Sequence, residues 1–177
     1  VKDSVNEPLT EKHIPSPITV YGKAKLEAEK YLLSKELPKD KRLVILRPCM
    51  IHGPNNKGNL NLLYKAVSKG IPYPLGAYNN LRSFLSVENF CFCTDQILKK
   101  KTVFGVFNIA DDQPLATTDL IFLMGKIMNK KTRVLKIPKI IITFLGRLGD
   151  VFKLPLNTER IEKLTENYVV DNTKIKK

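Results

Sequence analysis

Between residues 18 and 37 apolar side chains recur every third or fourth position, at Val20, Ala24, Ala28, Tyr31 and Leu32, with Lys and Glu between them. That period predicts an amphipathic helix, stopped by Pro38. The stretch 43–46 is instead an unbroken aliphatic run between a charged flank and Arg47-Pro48. A helix followed by a continuous apolar strand points to a parallel sheet. Further along, the pattern predicts helices at 60–69 (ended by Gly70), 88–100, 119–128, 138–152 and 158–164. Strands are expected at 71–75, 82–87, 103–109 and 132–137. Thr117 or Thr118 stands where it would cap the helix that starts at Asp119. The stretch 48–58, rich in Pro, Gly and Asn, reads as a loop at a strand's carboxyl end, where open α/β sheets bind ligands. No period of about 20 to 50 residues repeats, which excludes a solenoid.

Composition narrows the class. The chain has 177 residues, 43% of them hydrophobic, enough for one domain or one and a half and too apolar for a disordered tail. A formal net charge of +13 favours anionic partners. The lysines are nonetheless scattered, and without a helix-turn-helix, zinc-finger or aromatic RNA-reading motif no nucleic-acid partner is expected. Cys49, Cys91 and Cys93 are too few for a disulfide framework or a zinc site, so a reducing cytoplasm is the expected compartment. Cys91 and Cys93, alternating around Phe92, are expected in the core. The apolar run 137–145 falls far short of the roughly 20 residues of a membrane span. Its basic flanks leave four readings: burial within a complete protein, cover of a substrate pocket, packing on another subunit, or contact with an anionic membrane surface.

Tyr21 and Lys25 are one turn apart on the first helix, so phenol and ammonium share a face. A phenol beside a cation can exchange a proton with a substrate hydroxyl. Spacing alone is weak: six tyrosines and 24 lysines give about one such pair by chance, and Tyr31 with Lys35 is a second. The surroundings separate them. Tyr21-Gly22-Lys23-Ala24-Lys25, followed by Glu29, opens the helix after a Pro-rich loop; Arg47-Pro48-Cys49-Met50-Ile51-His52-Gly53-Pro54 and Arg82-Ser83-Phe84-Leu85-Ser86-Val87-Glu88-Asn89 follow in order.

These three blocks resemble the extended branch of the short-chain dehydrogenase/reductase superfamily, the NAD-dependent nucleotide-sugar epimerases and dehydratases. The likeness covers roughly residues 16–123 and thins towards the C-terminus. It implies an α/β fold comprising the C-terminal part of a Rossmann-like parallel sheet plus a small mixed α/β substrate domain. Residues 1–57 would be the end of the dinucleotide-binding domain and 58–177 mainly the substrate domain, with 82–110 partly returning to the Rossmann core. Tyr21 would be the general acid/base, and Lys25 would assist it and hold the nicotinamide ribose. Pro48 and Cys49 would offer backbone near the nicotinamide, Asn59 and Leu60 would meet the sugar nucleotide, and Arg82 would clamp its diphosphate, as a planar guanidinium can. The implied reaction is epimerisation or dehydration of a nucleotide-diphosphate sugar. A reductase or 3β-hydroxysteroid-type dehydrogenase of the same superfamily, a non-catalytic NAD-binding scaffold, NADP in place of NAD, and a homodimer remain open.

The chain departs from the pattern at Met50, where the family usually has Asn, and at His52 in place of Tyr; His52 reads as a packed or solvated substitute. The Gly-rich fingerprint that cradles a pyrophosphate at a helix N-terminus is absent. Gly146 and Gly149, inside an apolar helix, read as packing glycines. The resemblance therefore implies a C-terminal fragment, inactive alone, of a protein about twice as long, with the nucleotide-binding loop and a catalytic Ser or Thr expected upstream of Val1.

Overall fold

The structure, a computed structural model, describes residues 7–54, 59–154 and 156–177. It divides into two units: 1–53 with 83–113 and 169–177, and 54–82 with 114–168.

The first unit holds α1 (Val20–Leu33), β1 (Val44–Pro48), β2 (Met50–His52), β3 (Phe84–Ser86), α3 (Val87–Lys99), β4 (Gly105–Ile109) and a closing 3-10 turn, Thr173–Lys176. The second holds α2 (Asn59–Ser68), α4 (Thr117–Ile127), α5 (Lys139–Phe152) and α6 (Thr158–Thr165). Both strand pairs are parallel, β1 with β4 and β2 with β3; for β1 the unbroken apolar run anticipated this.

In the first unit α3 begins at Ser86, whose hydroxyl accepts from Asn89 N at 3.0 Å. Its other end is closed by Arg42, whose guanidinium donates at 2.6 Å to the carbonyls of Ile97, Lys100 and Val103. One cation thus satisfies the orphan carbonyls of the last turn and fixes the turn into β4. The ends of the chain meet here: Leu9 N donates to Val169 O at 2.8 Å and Asp171 N to Leu9 O at 3.0 Å. Residues 169–177, placed by the sequence reading with the substrate portion, therefore pack with the sheet. Asn172 and Lys174 fasten them further by donating to the carbonyls of Ala110 and Val106.

The second unit is built on Leu63, Val67, Tyr73, Leu75, Ile121, Ile142 and Ile161, one cluster drawn from all four helices and the segment after α2. Gly70, with φ +68°, turns the chain out of α2. Burial in this cluster pushes the Tyr73 phenol well above its ordinary range. Gly146 and Gly149 are packing glycines: a Cβ on Gly149 would overlap the carbonyl oxygen of Leu156.

Several expectations are corrected. The stretch after Pro48 is not all loop, because Met50–His52 pairs with Phe84–Ser86; residues 55–58 lie outside the described ones. The runs 71–75 and 132–137 form no ladder, only isolated bridges between Tyr73 and Val134 and between Leu75 and Lys136, since Pro72 and Pro74 have no N–H to donate. Neither Thr117 nor Thr118 caps α4; Ala116 is its N-cap, and the buried Thr117 hydroxyl accepts from Asn80 Nδ2 at 2.9 Å and donates to Leu164 O at 3.0 Å. Neither Cys91 nor Cys93 is in the core: Cys91 is exposed on α3 and Cys93 is half-buried. In α1 the apolar stripe is the outward one: Val20, Tyr31 and Leu32 are exposed, while Gly22, Leu26 and Glu29 are the sheltered positions.

Candidate active site

Tyr21 is held at the very start of α1. Thr19 caps the helix, its Oγ1 accepting from Gly22 N at 3.1 Å. A Cβ on Gly22 would stand 2.8 Å from Pro17 Cβ, so only glycine lets the Pro-rich loop close against this turn. Lys25 Nζ lies 5.6 Å from the centroid of the Tyr21 ring, and Tyr21 is 74% exposed. The two groups project together into open solvent. Lys35 stands 4.2 Å from the Tyr31 ring, so proximity follows from the spacing and does not tell the pairs apart.

Anchoring does. One turn beyond Lys25, Glu29 accepts two hydrogen bonds from the Arg47 guanidinium, one from Nε at 3.1 Å and one from Nη2. Arg47 is the penultimate residue of β1, followed by Pro48 and Cys49. This fork ties the turn that carries Lys25 to the strand end that carries Pro48 and Cys49. Glu29 belongs to the quoted Tyr-Lys-Glu spacing, yet its partner on the strand is visible only in the fold. Pro48 has no N–H, and that of Cys49 donates to Ile109 O at 3.1 Å; their main chain offers a ligand acceptors rather than donors.

Beside this end of the sheet the structure brings together residues the sequence did not connect. Asp111, just after β4, accepts from Ser86 N at 3.0 Å and from Asn89 Nδ2 at 2.7 Å. His52 Nε2 stands 3.8 Å from the same carboxylate, its ring edge-on to Phe84 at 6.3 Å. His52, read from the sequence as a packed or solvated loop substitute, lies instead at the end of β2 beside an acid, and Asp111 carried no local signal. Burial, and then the Asp111 charge, push the Cys93 thiol up, which keeps it protonated. A groove of about 730 Å³ runs between α3, β4 and the closing segment, lined by Phe92, Phe104, Phe107, Lys100 and Lys174 among others. None of the expected site residues lines it.

The remaining expected residues belong to the second unit. Asn59 opens α2, but its side chain lies outside the described residues. Leu60 is half-buried against the core cluster. Arg82 is buried: its backbone exchanges hydrogen bonds with Leu115, and its guanidinium donates to Lys163 O and pairs with Glu166 at 3.3 Å.

Two parallel strand pairs, with a Tyr-Lys pair at a helix start tied to the end of one of them, place the chain among the α/β proteins. Residues 2–110 match the NAD dependent epimerase/dehydratase family, and the chain belongs to that family. It is 30% identical over 161 residues to UDP-glucose 4-epimerase of Vibrio cholerae, covering 88% of this chain and 46% of that protein. It is 28% identical over 174 residues to N-acetyl-alpha-D-glucosaminyl-diphospho-ditrans,octacis-undecaprenol 4-epimerase of Escherichia coli, covering 93% and 53%. The structure of Thermus thermophilus UDP-glucose 4-epimerase in complex with NAD superposes with a TM-score of 0.68 at 18% identity over 99% of this chain and 52% of that one, a likeness of Rossmann-like fold. The chain thus spans about half the length of the curated relatives it matches.

Proposed function

We propose that this chain is the C-terminal half of an NAD-dependent nucleotide-sugar epimerase in which Tyr21 moves the proton. The observation that carries the reading is the Tyr21–Lys25 pair, solvent-facing at 5.6 Å and fastened through Glu29 and Arg47 to the end of β1. Tyr21 takes the proton of a sugar hydroxyl as the carbon is oxidised and returns it when the ketone is reduced. The Lys25 ammonium steadies the phenolate while the proton is away and reaches the ribose hydroxyls of the nicotinamide half. Pro48 and Cys49 meet the nicotinamide through main-chain acceptors, which suits the donors of a carboxamide. These groups fit one half of NAD; no Gly-rich turn in the sequence fits its pyrophosphate, so a further segment supplies that cradle. Bound NAD supplies the hydride acceptor and, in an epimerase, the hydride for the opposite face. Asn59, Leu60 and Arg82 serve the sugar nucleotide, and Arg82 reaches a diphosphate when the half-exposed Glu166 yields its place.

A second reading changes only what carries the sugar. The Escherichia coli relative is named for a sugar diphosphate borne on undecaprenol. Here the apolar outer side of α5 favours such a carrier. The test is turnover by the complete gene product of UDP-glucose, UDP-N-acetylglucosamine and a polyprenyl-diphosphate N-acetylglucosamine. Tyr21→Phe is expected to lower kcat by at least about a hundredfold with little change in KM, the range of general acid/base catalysis. Equal turnover in the variant removes Tyr21 from the mechanism.

A further inference from the structure

We propose that the outward side of α5 rests on the surface of an anionic lipid bilayer. The inward side of this helix is fixed by Ile142, Gly146 and Gly149, all buried, with Ile142 fully enclosed. At 3.6 residues per turn, Ile140, Phe144 and Val151 stand opposite that stripe, and Ile141, Leu145 and Phe152 lie along one flank. All six are exposed, Ile140 by 79%, Val151 by 74%, Phe152 by 67% and Phe144 by 61%. A surface helix of a water-soluble domain keeps charge on the side away from its core; α5 inverts that rule.

The charge around this face selects the occupant. Along α5 and at its C-cap, Lys139, Arg147 and Lys153 are basic and exposed, and Asp150 is the one acid. Asp150 is turned to α6, accepting from Thr158 N at 3.1 Å and from its hydroxyl at 2.5 Å, which leaves the basic side chains in excess around the outward side. An apolar face with a cationic rim lies in the plane of a membrane interface, its apolar side chains entering the acyl boundary while Lys and Arg meet lipid phosphates. A second copy of this chain fits less well, because a two-fold interface sets the same patch against itself and so brings two surfaces of net positive charge together. The helix has 14 residues, and among the described residues no helix is long and apolar enough to cross a membrane, so the contact is interfacial. The inference rests on α5 alone and holds for either sugar carrier.

Flotation tests it. The complete gene product is mixed with vesicles of phosphatidylcholine alone or of phosphatidylcholine with phosphatidylglycerol, and floated on a density gradient. It is expected to rise with the anionic vesicles and to lose much of that binding at high salt. Phe144→Asp with Ile140→Asp lowers the bound fraction by about tenfold or more, since each places a charge in the apolar interface. Arg147→Glu with Lys153→Glu removes the preference for phosphatidylglycerol. All four side chains are exposed, and unchanged thermal unfolding of the variants confirms that the fold is kept. Absence of flotation by the parent chain overturns the proposal, as does equal flotation of the Asp variants. A dimer that Phe144→Asp splits, without flotation, gives the face to a second copy and also overturns it. Turnover of a water-soluble nucleotide sugar is a separate readout: loss in Tyr21→Phe without flotation sinks the membrane contact and leaves the enzyme standing.

Discussion

Glu29→Ala should loosen α1 from the sheet, because this helix contains no buried residue and the fork to Arg47 is the strong polar tie observed between it and β1. The size follows from exposure. Exposed ion pairs contribute about 0 to 1 kcal/mol, and removing one partner of a fully buried pair costs about 3 to 5 kcal/mol. The Arg47 and Glu29 side chains are 26% and 15% exposed and meet in a two-bond fork, so the loss should be about 2 kcal/mol. For a chain of this length that lowers Tm by about 4 to 8 °C. Thermal unfolding followed by circular dichroism measures it. A double-mutant cycle with Arg47→Met then isolates the pair, for which about 1 to 2 kcal/mol of coupling is expected. Coupling below about 0.5 kcal/mol would show that the fork does not fix the helix, and with it would go the argument that separates Tyr21–Lys25 from Tyr31–Lys35.

Two further outcomes follow from the packing and the charges. Gly149→Ala should destabilise the chain by about 1 to 3 kcal/mol, because the added methyl meets the Leu156 carbonyl; unchanged urea unfolding would mean that the segment after α5 moves freely aside. The second concerns pH. Hydrogen bonds and charge from Lys176 and Asn172 hold Asp112 below the usual carboxylate range, and Thr173 does the same for Asp171. A carboxyl depressed in the folded chain favours the fold above its ordinary value, near 4, and loses that contribution as pH falls through the lowered one. Residues 169–177 should therefore lose hydrogen-exchange protection below about pH 4 before the β1–β4 ladder does. Equal protection of tail and ladder at pH 3 and pH 6, after correction for intrinsic rates, contradicts this.

The sequence alone determined what depends on neighbours within a turn or a run. Helical periods placed α2, α3, α5 and α6 within two residues of their ends. Apolar runs placed β1 and β4, and the three motif blocks that begin at Tyr21, Arg47 and Arg82 carried the resemblance to the family. Two glycines inside an apolar helix were legible as packing, because a pyrophosphate cradle needs its glycines at the turn between strand and helix and these lie within the helix. Only the tertiary structure decided what depends on residues far apart in the chain. A three-residue strand such as Met50–His52 has too little pattern of its own and exists because Phe84–Ser86 lies beside it. The runs 71–75 and 132–137 have strand-like side chains, yet in the fold they meet only at isolated bridges and give Tyr73 and Leu75 to the helical core. Which side of α1 faces the sheet was likewise not a matter of hydropathy. The sheltered side is the one that carries Glu29, whose carboxylate meets a guanidinium eighteen residues away, a directional contact that no local pattern specifies.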